Sequence, residues 1–147
     1  MRFMMFVKAT PESEAGEFGK KETYVAMGDL MQDMASAGIL LGADGLTPSA
    51  KGKRVSIRDG KIAKVTDGPF AETKELVAGF CMVEVPSWEA LQPWNERFSA
   101  IIENGETEIR PLFEAADFPD DLFPPDEKAK EQALRDELQK RATAQLS

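Results

Sequence analysis

Asp67-Gly68-Pro69-Phe70-Ala71-Glu72-Thr73-Lys74-Glu75 runs directly into the apolar residues 76–85, Leu-Val-Ala-Gly-Phe-Cys-Met-Val-Glu-Val. Turn chemistry is joined here to a buried strand. An Asp before Gly turns its carboxylate back onto nearby amides, while Gly68 tolerates dihedrals closed to other residues. Pro69 fixes its own φ, donates no hydrogen bond and keeps Gly68 out of the helical region. The backbone therefore turns sharply. Phe70 is a large ring on a loop, expected to anchor that loop against the core. Glu72, Thr73, Lys74 and Glu75 place three charges and a hydroxyl before the strand, either as an ordinary solvated turn or as the mouth of a cleft.

The strand that follows is apolar on both sides, and so is the segment at residues 3–7. Phe3, Met5 and Val7 face one way, Met4 and Phe6 the other. Helices packed on one face of such a sheet leave the second face in need of another surface. A second copy of the sheet is the expected cover, which predicts a homodimer through the sheet face.

Working outward, residues 10–18 read as a mobile connection and residues 20–37 as a helix. Tyr24, Met27, Leu30, Met31 and Met34 recur at spacings of three and four, with Gly38 as its stop. Ile39-Leu40-Leu41 opens a strand that residues 42–48 are expected to break into a loop. Asp59-Gly60 between residues 53–58 and 61–66 is a two-residue hairpin signal. A simple register pairs Ile57 with Ile62 but sets Val55 against Lys64, so either a bulge intervenes or Lys64 lies at an edge. Ser87 suits a helix cap, with re-entry into helix expected at Pro93 and a stop at Gly105. Residues 107–112 form a last strand with Ile109 inward and Glu108 and Arg110 opposite. From residue 116 an Asp/Pro-rich linker leads into a helix at residues 126–144 whose apolar stripe, Ala133, Leu134, Leu138 and Ala142, is narrow.

Residues 67–75 with Ala78-Gly79-Phe80 resemble the signature of the DGPF proteins within the YCII-related family. Gly42-Ala43-Asp44-Gly45-Leu46-Thr47-Pro48 and Val55-Ser56-Ile57-Arg58-Asp59-Gly60 precede it, and Glu108-Ile109-Arg110-Pro111-Leu112 follows. The resemblance covers residues 1–115 and leaves 116–147 as linker and C-terminal helix. It implies an α+β fold: a ferredoxin-like antiparallel sheet with two helices on one face and an inserted β-hairpin, paired into a dimeric α+β barrel. It implies no particular reaction. The enzymatic role inferred for relatives rests on a cleft His and Asp, and this chain contains no His.

Two functions are carried forward. One is a small-molecule-binding protein, with a cleft near residues 67–70 and Asp67 as a candidate acid or base, since a partly desolvated carboxylate has its pKa raised. Its ligand residues are Asp44, Arg58, Gly68, Pro69, Phe70, Glu72, Thr73, Lys74 and Arg110. Arg110 suits a carboxylate held in two-pronged fashion, or else a structural ion pair. The other is a non-catalytic dimeric binding or regulatory module, which the resemblance links to alternative sigma factors.

Composition bounds both. The 147 residues suit one core with an appendage. A net charge of −8 opposes nucleic-acid binding, although residues 51–64 hold a local excess of +5. With one Cys, in an apolar strand, neither an internal disulfide nor a transition-metal site is expected, and no cofactor is called for. No apolar run spans a membrane, and the first residues read as a strand rather than a signal peptide. A reduced cytoplasm is the expected location.

Overall fold

The computed structural model describes residues 1–145. They divide into two compact units, residues 1–111 and residues from 112 onward. In the first, six strands and three helices follow the order β1 (Arg2–Lys8), α1 (Pro11–Glu14), α2 (Lys21–Ser36), β2 (Leu40–Gly45), β3 (Lys53–Arg58), β4 (Lys61–Asp67), β5 (Val77–Glu84), α3 (Trp88–Ile102) and β6 (Thr107–Pro111). An antiparallel sheet forms in the order β2-β5-β1-β6, and β3-β4 form a separate hairpin.

The fold is α+β with a ferredoxin-like sheet. The core lies between one sheet face and α2 and α3. Phe3, Met5, Cys81 and Val83 from the strands meet Leu30 and Met34 from α2 and Leu91 and Phe98 from α3, all buried. Only the Leu30/Met34 part of the expected α2 stripe is fully buried, and Tyr24 stays 57% exposed.

The barrel expected from the resemblance is not what forms. Among the described residues no sheet closes on itself. β2 and β6 are the two edges, three strand spacings or about 14 Å apart, and the hairpin continues neither.

Other local expectations are refined. The connection after β1 contains α1, whose Thr10 and Ser13 form a reciprocal capping box, with Ser13 N–H on Thr10 Oγ1 at 3.2 Å and Thr10 N–H on Ser13 Oγ at 2.9 Å. β2 does not break at Gly42. A register shift between Leu40 and Gly42 absorbs one residue and the strand runs on through Asp44. α3 begins at its Ser87 cap and passes straight through Pro93. The lost bond belongs to the Glu89 carbonyl, and both residues are exposed, which lowers the cost of leaving it unmade. The left-handed residue ending α3 is Glu103 at φ 64°, ahead of Gly105. In the hairpin Asp59 and Gly60 both have positive φ, and a bulge after Ser56 sets Val55 opposite Val65 and Ile57 opposite Ile62.

The second unit holds α4 (Pro125–Gln145), preceded by an aromatic string in which the Phe118 ring lies between those of Phe113 (tilted, 5.0 Å) and Phe123 (edge-on, 5.7 Å). Lys128 ties the helix start to the linker, donating to the Phe118 carbonyl and the Asp120 carboxylate at 2.7 and 2.8 Å.

Candidate functional site

The stretch at residues 67–70 is a clamp. Asp67, the last residue of β4, is paired across the hairpin with Lys53, and its side chain is 74% exposed. Gly68 donates to the Gly52 carbonyl at 3.0 Å and lies so close to Ser49 that a Cβ would sit 1.7 Å from that residue's carbonyl oxygen. The Gly68-Pro69 peptide is cis. Phe70 packs on Gly52, and the Arg54 guanidinium stands 4.1 Å over its ring. The Phe70 N–H donates to Ser49 Oγ at 3.0 Å, while the Ser49 N–H and hydroxyl both donate to the Glu14 carboxylate. Glu14 and Ser49 thus fasten the stretch to the connections after β1 and β2. Neither was singled out by sequence.

The remaining residues of the stretch are solvated. Glu72 takes a left-handed conformation at φ 63° and leads into the short turn Thr73–Glu75. Glu72 and Lys74 are exposed, Thr73 half-buried. Arg58 stands at the hairpin tip, five strand positions from the level of Asp67, or about 17 Å. Arg58 and Asp67 therefore do not form one cluster.

Asp44 and Arg110 share a surface elsewhere. On the face of the sheet opposite α2 and α3, strand register creates two cross-strand rows. One is Asp44, Phe80, Phe6, Glu108; the next is Gly42, Met82, Met4, Arg110. Phe6, Phe80, Met4 and Met82 are half-buried, and Asp44, Glu108 and Arg110 are exposed. Among the described residues none of those three charged side chains has a hydrogen bond or ion pair. The result is an aromatic and thioether floor with a carboxylate at the β2 edge and a carboxylate and guanidinium at the β6 edge. β5 enters this face directly from the clamp. The double alternation of β1 and β5 was the sequence signal for the floor; Glu108 at its rim was not chosen.

Two surface depressions lie on single helices, one along Lys21, Glu22, Val25, Ala26 and Asp29 and one along Asp136, Gln139, Lys140, Thr143 and Ala144. Groups from one helix do not converge, so neither matches the sheet face as a site. Among the described residues no cluster of three or more His, Cys, Asp or Glu is placed to hold a metal ion. No helix among them is long and apolar enough to cross a membrane.

Cys81 is part of the core. It is 1% exposed, and burial raises its thiol to about pKa 11 from an ordinary 9.0. At pH 8 the shift lowers its thiolate population about a hundredfold. Iodoacetamide is therefore expected to label Cys81 only after unfolding; labelling of the native protein at the rate of a free thiol would contradict the packing. The neutral thiol's contribution to stability is complete below pH 9 and is lost as pH rises through about 11.

A ferredoxin-like antiparallel sheet with two covering helices, an inserted hairpin and a clamped Asp-Gly-Pro-Phe turn defines a small α+β class. The chain belongs to the YCII-related domain family, which matches residues 1–116. Comparison with curated proteins finds no match. The solved structure of 5-chloro-2-hydroxyhydroquinone dehydrochlorinase (TftG) from Burkholderia phenoliruptrix AC1100, in complex with 2,5-dihydroxybenzoquinone, is 13% identical. It covers 81% of this chain and 100% of that chain with a TM-score of 0.45, a similarity that carries no weight for activity here.

Proposed function

We propose that this YCII-related protein binds a small, flat, largely apolar molecule bearing an anionic group, held on the sheet face opposite α2 and α3, beside the Asp67–Phe70 turn. The two cross-strand rows carry the reading. Phe6 and Phe80 give a ring a surface to stack on, and Met4 and Met82 adapt to its outline. Arg110 suits a carboxylate in bidentate fashion, and Asp44 across the floor suits a hydroxyl or amine donor. Membership in the narrower DGPF group belongs to the same proposal.

The assignment is binding rather than acid-base catalysis by Asp67. A general base must reach its proton and gains from desolvation. The Asp67 carboxylate is exposed and already engaged by Lys53. An open face by itself buries too little of a ligand, because small-molecule sites are concave. A homodimer through this face is therefore part of the proposal.

Calorimetric titration with benzoate-like carboxylates and their neutral amides tests it. A charge-assisted pair adds about 1.5–3 kcal/mol, so carboxylates are expected to bind at least about tenfold tighter. Equal affinity, or no binding of either, would remove the proposed role of Arg110.

A further inference from the structure

We infer that the β3–β4 hairpin is a docking arm for an extended acidic peptide segment of another protein, which adds to the free edge of β3 as a third strand. Val55, Ile57, Ile62 and Val65 are 50, 73, 69 and 50% exposed. The pairs Val55–Val65 and Ile57–Ile62 put all four on one side of the hairpin, an arrangement the bulge after Ser56 makes possible. Arg54, Arg58, Lys61 and Lys64 lie on the other side. Arg54 is occupied by the Phe70 ring, whereas among the described residues Arg58, Lys61 and Lys64 make no ion pair. Every residue of both strands is exposed, and the hairpin is a sheet of its own, so each strand keeps an unpaired edge. Two strands alone in water are marginal, and a third strand beside an apolar face is what makes such a sheet stable.

Charge, composition and edge geometry select the occupant. Residues 51–64 hold six cations against Asp59, a local +5 in a chain of net −8, so an acidic partner is drawn to this arm and repelled by the rest of the molecule. A second hairpin would match the aliphatic side but bring the same +5 with it. Nucleic-acid phosphates would match the cations and leave the aliphatic side in water. A lipid surface is anchored by Trp and Tyr at its interface, and residues 53–67 contain neither. An extended segment alternating acidic and aliphatic residues meets both sides at once, because successive side chains of a strand point to opposite faces. Its backbone also fills an unpaired edge, as peptides do when they add to a sheet. β3 offers the regular edge. Ser56 pairs with Lys64 and Ile57 with Ile62, so the extra residue of the bulge, Ala63, belongs to β4 and interrupts that strand's ladder.

Titration of the full chain with an end-capped peptide of alternating Val and Glu, about eight residues long, is the test. The wild type is expected to bind it. Affinity is expected to fall at least about tenfold when the Glu residues are replaced by Gln, or when the same residues are arranged as a Val block and a Glu block. Methylating the amides of two adjacent central residues, which blocks both edges of the peptide, is expected to abolish binding. Arg58→Ser/Lys61→Ser and Ile57→Thr/Ile62→Thr change exposed positions outside the core, and each is expected to weaken binding at least about tenfold at an unchanged melting temperature. Arg58→Lys is expected to retain it. A wild type that ignores the peptide overturns the inference. So does binding that the block arrangement or the methylated backbone reproduces, since that is charge attraction alone. Two other results overturn it in favour of a different occupant. One is arm-dependent co-sedimentation with phosphatidylglycerol vesicles by a protein that does not take the peptide; the other is a dimer that Ile57→Thr/Ile62→Thr abolishes and the peptide does not disturb.

Discussion

Gly68→Ala is expected to destabilise the protein by about 3 kcal/mol, the upper part of the range for forcing atoms into filled space. The added Cβ would stand 1.7 Å from the Ser49 carbonyl oxygen and 2.6 Å from its carbonyl carbon. Both are backbone atoms, so no side chain can swing aside. Relief requires the turn to leave Ser49, which breaks the Phe70-to-Ser49 bond and strips the Glu14 network of its third member. Gly42→Ala is the control. A Cβ there meets nothing within 4 Å, and its melting temperature is expected to stay close to that of the wild type. Thermal unfolding of the pair reads the result, and equal melting temperatures would mean the turn is not seated on Ser49.

Leu30→Ala is expected to cost 2–5 kcal/mol, roughly the span measured for buried Leu truncations. The reason is that Leu30 sits at the centre of α2's contact with the core, flanked by the partly buried Met27 and Met31. The helix N-cap, Lys20, makes no side-chain capping bond, and Tyr24 and Val25 are more than half exposed. Leu30 and Met34 are the two buried anchors of a sixteen-residue helix. Urea unfolding with an unchanged slope would give the loss directly. A loss below about 1 kcal/mol would place α2's anchorage elsewhere.

Period and turn chemistry made much of the fold legible in the sequence. Asp59-Gly60 marks the hairpin because both positions need positive φ, and the mismatch of Val55 with Lys64 left a bulge or an edge position for Lys64 as the two readings, of which the bulge is what forms. Ser87 and the Leu30/Met34 spacing are likewise local. The barrel implied by the resemblance is the expectation that failed. Apolar residues on both faces of β1 and β5 say that the second face needs cover; they do not say whether strands or a ligand provide it. Asp44 was placed in a loop because Gly42 looks like a strand breaker, yet a glycine beside a bulge is tolerated when its partner strand, here β5, continues.

The candidate site shows the same division. The turn at residues 67–70 was recognisable, but the requirement for Gly68 comes from Ser49, nineteen positions earlier, and from Glu14 further back. No local pattern encodes such a contact. The Thr10-Pro11-Glu12-Ser13 cap that positions Glu14 was present in the sequence and read as mobile chain. Asp67 stood out because Asp-Gly is a strong local signal, whereas Arg110 and Asp44 acquire their relation only through the register of β2, β5, β1 and β6.

The central claim is that the clamp positions and the sheet face binds. Parallel calorimetric titrations of Asp67→Asn and Arg110→Ala with an aromatic carboxylate test it most directly. Asp67→Asn is expected to keep the wild-type affinity within about twofold, and Arg110→Ala to lose about tenfold or more as its charge-assisted bonds disappear. Binding abolished by Asp67→Asn and unaffected by Arg110→Ala would contradict the account and return the chemistry to the turn.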